Sequence, residues 1–298
     1  NNIDHSKYNV FPVGITKGGD WIHFTSRDYS LLPSGQWEQE PGNRRAAISP
    51  VRGQGLLTFE GDCVVRERID VVFPVLHGAN GEDGAMQGLL QLAGIPYVGS
   101  HVAASAVAMD KTLTKLVADQ AGIRQAAWRL VWSGEHQKER VLNALEEQFQ
   151  YPMFVKPAGT GSSVGVSKVK NREELIAALE TAAQYDRKIL VEEFIHGREI
   201  EVAVMGNDSP VASICGEIDS GAEFYDYEAK YVTDTSRAYI PARISEETEE
   251  AVRDAAVRIY QAIGCQGLSR VDFFVTYEGE DVIFNEINTL PGFTSISM

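Results

Sequence analysis

Three cysteines in 298 residues, Cys63, Cys215 and Cys265, are too few, too scattered and too odd in number for a disulfide framework, and their spacing suits no metal site. They are expected to be buried thiols in a reducing compartment. No apolar run approaches the roughly 20 residues that a membrane-spanning helix needs. A chain that starts on Asn1 says nothing either way about a leader. Cations are also scarce: 27 Lys and Arg stand against 42 Asp and Glu, a net charge of −15. Nucleic acid and anionic membrane would repel such a surface, so neither is an expected partner. Any anionic ligand must be gripped locally, by a few placed cations and backbone amides. At 44% hydrophobic residues the chain can bury a sizeable core, and its length suits two or three subdomains.

What the chain does contain is concentrated in two elements. The first is Arg270-Val271-Asp272-Phe273-Phe274-Val275, a short turn, and Phe284-Asn285-Glu286-Ile287-Asn288. Side chains two apart on a strand share a face, so Arg270 and Asp272 point together, as do Glu286 and Asn288. With Glu278-Gly279-Glu280 as a three-residue loop, Asp272 falls opposite Glu286. Opposed carboxylates repel, and a hard divalent cation would turn that repulsion into coordination, with the Asn288 amide oxygen completing the set. A solvated hairpin face is the plain alternative.

The second element is the apolar strand around Val155-Lys156-Pro157, followed by Gly159, Gly161, Ser162, Ser163 and Gly165. Val164, Val166 and Val169 then alternate with polar residues, which predicts a returning strand. That excludes the Walker and Rossmann loops, which open helices. A Gly-rich hairpin tip can bring backbone N–H groups and the Ser162 and Ser163 hydroxyls to phosphate oxygens, with Lys156 as a point charge. The same tip could be only a turn.

Taken with His77-Gly78-Ala79-Asn80-Gly81-Glu82-Asp83-Gly84, Met109-Asp110-Lys111, Val191-Glu192-Glu193, Tyr225-Asp226-Tyr227-Glu228-Ala229-Lys230-Tyr231 and the terminal Leu290-Pro291-Gly292-Phe293-Thr294-Ser295-Ile296-Ser297, these elements resemble the D-alanine–D-alanine ligases of the ATP-grasp superfamily over nearly the whole chain. The resemblance implies an α/β chain of ATP-grasp fold: a truncated N-terminal α/β substrate domain over residues 1–99, then two α+β subdomains, 100–192 and 193–298, enclosing ATP. It implies ligation of two D-alanines through an acyl phosphate for peptidoglycan synthesis, in the cytoplasm, by a homodimer. ATP and Mg²⁺, with Mn²⁺ as an alternative metal, are the implied cofactors.

By the same resemblance Arg270, Ser162, Tyr231 and the Gly292 N–H serve catalysis, and His77, Lys230 and Ser297 hold substrate. Lys111, Lys156, Ser163, Glu192, Glu193 and Glu199 bind nucleotide, and Asp272, Glu286 and Asn288 bind metal. Read from the residues alone, Glu192, Glu193 and Glu199 could equally be solvated strand-end charges, and Arg270 could be the ion-pair partner of Asp272. The aromatic stretch 217–240 is a lid or a plain excursion packed by its own rings. D-serine or D-lactate as second substrate stays open, as do another ATP-grasp carboxylate and a nucleotide-binding module without turnover. The family's first strand, its Gly-rich turn and its C-terminal helices have no counterpart, so a portion of a longer protein is expected.

Local expectations are sharper. Ile69–Leu76 reads as a buried strand delivering His77. Ser100 and Asp110 are expected to cap helices, the second ending at Gly122. Asn171, with Glu174 three residues on, opens a helix whose face is Leu175, Ala178, Leu179 and Ala182.

Overall fold

The computed structural model describes residues 3–26, 28–161, 163–219 and 237–293. It falls into two units, residues 1–72 with 88–97, and residues 73–87 with 98–298.

In the first unit, short strands joined by turns form an antiparallel meander of five: β1 (Val13–Ile15), β2 (Trp21–His23), β3 (Arg44–Ile48), β4 (Leu56–Glu60) and β5 (Cys63–Glu67). The Gly18-Gly19 turn links β1 to β2 as its composition predicts, with Gly19 at φ +88°. The run Ile69–Leu76 does not form the expected strand. Its one pairing is a parallel bridge between Val72 and Tyr97, and Val71, Phe73 and Val75 are exposed. A strand buried on both faces needs hydrogen-bonded neighbours on both edges, and among the described residues this run has that single bridge.

The second unit holds two sheets, each with its own core. Helix α1 (Ala85–Ala93) starts in this unit; α2 (Val102–Met109) and α3 (Lys111–Gln120) follow. Asp110 caps α3 as expected, its carboxylate accepting from the backbone N–H groups of Thr112 and Leu113. Ser100 does not cap α2; His101 takes that position. The Ser100 hydroxyl instead joins Gln266, donating to its carbonyl and facing its N–H.

The first sheet is antiparallel in the order β6-β9-β7-β8: β6 (Trp128–Trp132), β9 (Lys188–Glu193), β7 (Met153–Pro157) and β8 (Ser167–Val169). Its core is closed by α4 (Glu139–Gln148) and α5 (Arg172–Ala183). Asn171 caps α5 through the N–H of Glu174, and Glu174 reaches back to the N–H of Lys170. The predicted face of Leu175, Ala178, Leu179 and Ala182 is buried.

The second sheet runs β13-β12-β10-β14-β15, with β11 (Val211–Ala212) added beside β10. The strands are β10 (Gly197–Met205), β12 (Gly216–Asp219), β13 (Arg237–Tyr239), β14 (Leu268–Thr276) and β15 (Val282–Asn288). Against it pack α2, α3 and α6 (Glu246–Ile263), so α2 and α3 share their core with this sheet. The chain passes from one sheet to the other through Phe194-Ile195-His196, between β9 and β10.

Asp272 does lie across from Glu286, and Arg270 across from Asn288. The route differs from the three-residue loop the sequence suggests. Val275 pairs with Val282 and Thr276 N donates to Asp281 O, which leaves a four-residue turn, with both Gly279 and Glu280 at positive φ. A bulge opposite Asp272 and Phe273 then restores the pairing by letting Phe284 meet Phe273.

Candidate functional site

A cavity of about 950 Å³ opens between the two sheets of the second unit, lined by the Gly-rich tip, the β9–β10 connection, β10, β12, β14, β15 and the loop that carries His77. Of the predicted residues it brings together His77, Lys111, Lys156, Ser163, Glu192, Glu193, Glu199, Arg270, Glu286, Asn288 and Gly292. Asp272 adjoins it through its bonds to Arg270 and Asn288. Ser162, Lys230, Tyr231 and Ser297 lie outside the described residues.

The Gly-rich tip is shaped by sterics. Gly165 sits at φ +73°, where a Cβ would come within 2.8 Å of Pro157 Cγ and of the Tyr185 ring. Only glycine fits. Ser163 also has a positive φ, 57°. The returning strand is shorter than the valine pattern predicts, because Val164–Val166 form the turn and pairing starts at Ser167.

Below the tip lies a buried charge cluster. Glu192 on β9 holds Lys156 Nζ at 2.6 Å with one oxygen and Lys115 Nζ at 2.6 Å with the other. Burial alone would raise the Glu192 carboxyl, but the two ammonium groups outweigh it and hold it down at about 2. Burial opposes the charge on Lys156 as well; Glu192, and beyond it Glu286 and Glu199, more than compensate and raise its pKa. Among the described residues Lys111 has no such close carboxylate. Its ammonium donates to Thr160 O at 2.6 Å, and burial lowers its pKa against the pull of Glu286. Glu193 turns to the backbone, accepting from Ala127 N at 2.7 Å.

Sequence reasoning misses Lys115, whose side chain is only 2% exposed. The available signal is its spacing: Lys111 and Lys115 stand four apart on α3 and so share a face. Glu82 is missed in the same way, inside a run quoted for its glycines. It accepts from Gly78 N at 2.7 Å and stands 3.0 Å from His77 Nδ1, which also faces Leu290 O at 3.2 Å. The hydrogen bond to Glu82 raises the His77 pKa, against a smaller lowering by burial.

On the second sheet Arg270 grips Asp272 with Nε at 2.8 Å and Nη2 at 2.7 Å, with Glu201 3.3 Å from Nε. Asn288 Nδ2 donates to Asp272 at 3.2 Å. The opposed carboxylates are therefore already compensated: Asp272 by Arg270, and Glu286 by the field it shares with Lys111, Lys156 and Arg270. Electrostatic relief does not by itself demand a metal here. The donor set nevertheless fits Mg²⁺: two carboxylates and an amide are hard oxygen donors, and a nucleotide would supply the rest.

The Glu192 cluster makes acid stability predictable. A carboxyl depressed from 4.5 to about 2 contributes stability that is complete above pH 4.5 and is lost as pH falls through about 2. Glu192→Gln should be less stable than wild type at neutral pH, since two buried ammonium groups lose their partner. That gap should narrow by about 2 kcal/mol between about pH 6 and pH 3, read from urea unfolding of both proteins. A gap independent of pH would show that the cluster is not held by the ionised carboxylate.

Among the described residues no helix is long and apolar enough to cross a membrane. Residues 1–100 match the family model described as D-ala D-ala ligase N-terminus, and residues 117–298 the one described as D-ala D-ala ligase C-terminus. A D-alanine–D-alanine ligase of Acetivibrio thermocellus is 50% identical, over 100% of this chain and 82% of its own length. One from Clostridium acetobutylicum is 47% identical, over 100% and 83%. Among solved structures, the VanG D-Ala:D-Ser ligase from Enterococcus faecalis superposes with a TM-score of 0.89 at 40% identity, over 100% of this chain and 85% of that one. The D-alanine–D-alanine ligase from Coxiella burnetii gives 0.80 at 34%, over 99% and 80%. The chain belongs to the D-alanine–D-alanine ligase family and has the ATP-grasp fold.

Proposed function

We propose that this chain joins two D-alanine molecules into D-alanyl-D-alanine with cleavage of ATP to ADP and phosphate. The observation that carries the reading is one cavity that gathers Lys111, Lys156 and Arg270 beside the oxygen donors of β14 and β15, in a chain of net charge −15. Three placed cations suit a polyphosphate and a developing oxyanion. The purine lies along Phe194-Ile195-His196, where the main chain and Glu199 offer polar groups. The phosphates run under the Gly-rich tip toward Lys156 and Lys111.

Asp272, Glu286 and Asn288 would hold Mg²⁺, which supplies neutralisation of phosphate charge when bound. A D-alanine carboxylate attacks the γ-phosphorus, releasing ADP and forming D-alanyl phosphate. The second D-alanine's amine attacks the acyl carbon, the tetrahedral oxyanion is met by Arg270 and the Gly292 N–H, and collapse breaks the C–O bond to phosphate, which leaves with the proton the amine gives up. His77, its Nδ1 pinned between Glu82 and Leu290 O, turns Nε2 to the first substrate. Ser162, Tyr231, Lys230 and Ser297 take the catalytic and substrate-holding roles that the family resemblance implies. A homodimer, a cytoplasmic location and supply of peptidoglycan precursors follow from the same resemblance.

The structural likeness to a D-Ala:D-Ser ligase favours D-serine as the second reading. Mass spectrometry of products formed from ATP, Mg²⁺ and equimolar D-alanine, D-serine and D-lactate separates the two. D-alanyl-D-alanine as the dominant product is expected; dominant D-alanyl-D-serine would keep the mechanism and change the specificity, and no dipeptide would overturn the assignment.

A further inference from the structure

Lys115 has no place in the chemistry above, yet it is one of the largest fully buried side chains in the molecule. A buried ammonium is retained only against a partner. Its partner is Glu192 Oε1 at 2.6 Å, while Glu192 Oε2 holds Lys156 at 2.6 Å. Glu192 and Lys156 line the cavity, and Lys115 stands behind them, anchored also by its backbone carbonyl to Gln125 Nε2 at 2.8 Å. The three groups sum to one positive charge. Without Lys115 they would sum to zero, and among the described residues Lys156 would be the one cation in direct contact with the buried Glu192.

We infer that Lys115 is a positioning residue for nucleotide: by neutralising Glu192 from behind, it leaves the Lys156 ammonium with a net charge to offer an anionic ligand in the cavity. Glu192 in turn fixes the direction of Lys156 without consuming its charge. The inference rests on the reading of this cavity as an ATP site. It assigns Lys115 an effect on phosphate affinity and none on recognition of the nucleoside.

The test is calorimetric titration of wild type, Lys115→Met and Lys115→Met/Glu192→Gln with adenylyl imidodiphosphate plus Mg²⁺, and with adenosine. Lys115→Met is expected to weaken the triphosphate analogue on the order of ten- to hundredfold, the usual loss of one charge-assisted hydrogen bond, with adenosine unchanged. The double variant, in which the sum returns to one positive charge but Glu192 no longer directs Lys156, is expected to bind the analogue at least about threefold more tightly than Lys115→Met, while staying weaker than wild type. Equal losses for analogue and adenosine in Lys115→Met would mean a packing role and overturn the inference. So would unchanged analogue binding, or a double variant that does not fold or binds the analogue no better than Lys115→Met. Should Lys115→Met alone fail to fold while the double variant folds and binds, the charge balance is supported. A wild type that binds neither probe would instead overturn the ATP reading on which the inference rests.

Discussion

Replacing Arg270 with Met is expected to lower kcat by about 10² to 10³ while the affinity for nucleotide changes by less than about threefold. The guanidinium engages Asp272 through Nε and Nη2, so its remaining N–H groups are not needed for that pair. Arg270 lines the cavity, and the fields of Asp272, Glu201 and Glu286 outweigh burial and raise its pKa, so it remains charged throughout the working range. It can therefore orient a metal ligand and meet a developing oxyanion at the same time, the two roles the sequence leaves open. Removing it takes the guanidinium away from Asp272 and Glu201, which face each other across β14 and β10, and breaking a buried pair from one side costs roughly 3–5 kcal/mol. Arg270→Lys is the companion variant. It keeps the charge, loses the fork, and should fold better than Arg270→Met yet recover little kcat. Pre-steady-state turnover with separate nucleotide titration decides the matter: equal losses in kcat and affinity would assign Arg270 to nucleotide binding and remove it from the oxyanion.

How far the site could be read from the chain depends on how local each interaction is. Asn171 with Glu174, and Asp110 before Lys111, act within one helical turn, and both caps form as their residue types dictate. The apolar face of α5 follows from period alone. Register across β14 and β15 depends on turn geometry and on a bulge, which no alternation encodes; the Asp272–Glu286 pairing emerges from a four-residue turn and a bulge together. The Ile69–Leu76 run carries strand composition but has a single bridging residue, so composition without neighbours misleads. Lys115 and Glu82 mark the deeper limit. Each acts through a partner distant in sequence or hidden in a Gly-rich run, Glu192 for the one and the His77 ring for the other. A lone buried lysine looks like any helical surface charge until its carboxylate is placed.

Glu286→Gln is expected to move metal dependence and nucleotide affinity in opposite directions. Glu286 faces Asp272 across the ladder and strengthens the positive charge of Lys111, Lys156 and Arg270. As one of two carboxylates in the proposed Mg²⁺ set, its loss should raise the Mg²⁺ concentration for half-maximal turnover by on the order of a hundredfold, the upper range seen even for outer partners of metal ligands. The same substitution removes a negative charge from a cavity that must accept a polyanion. Binding of ATP measured in chelator, with no divalent ion, should therefore tighten. A structural defect would weaken both together, whereas a pure metal-ligand role without influence on the cations would leave the metal-free affinity alone. If the Mg²⁺ requirement of Glu286→Gln matches wild type, Glu286 is not a metal ligand, and the acidic pair on β14 and β15 serves only to hold Arg270 and the lysines in place.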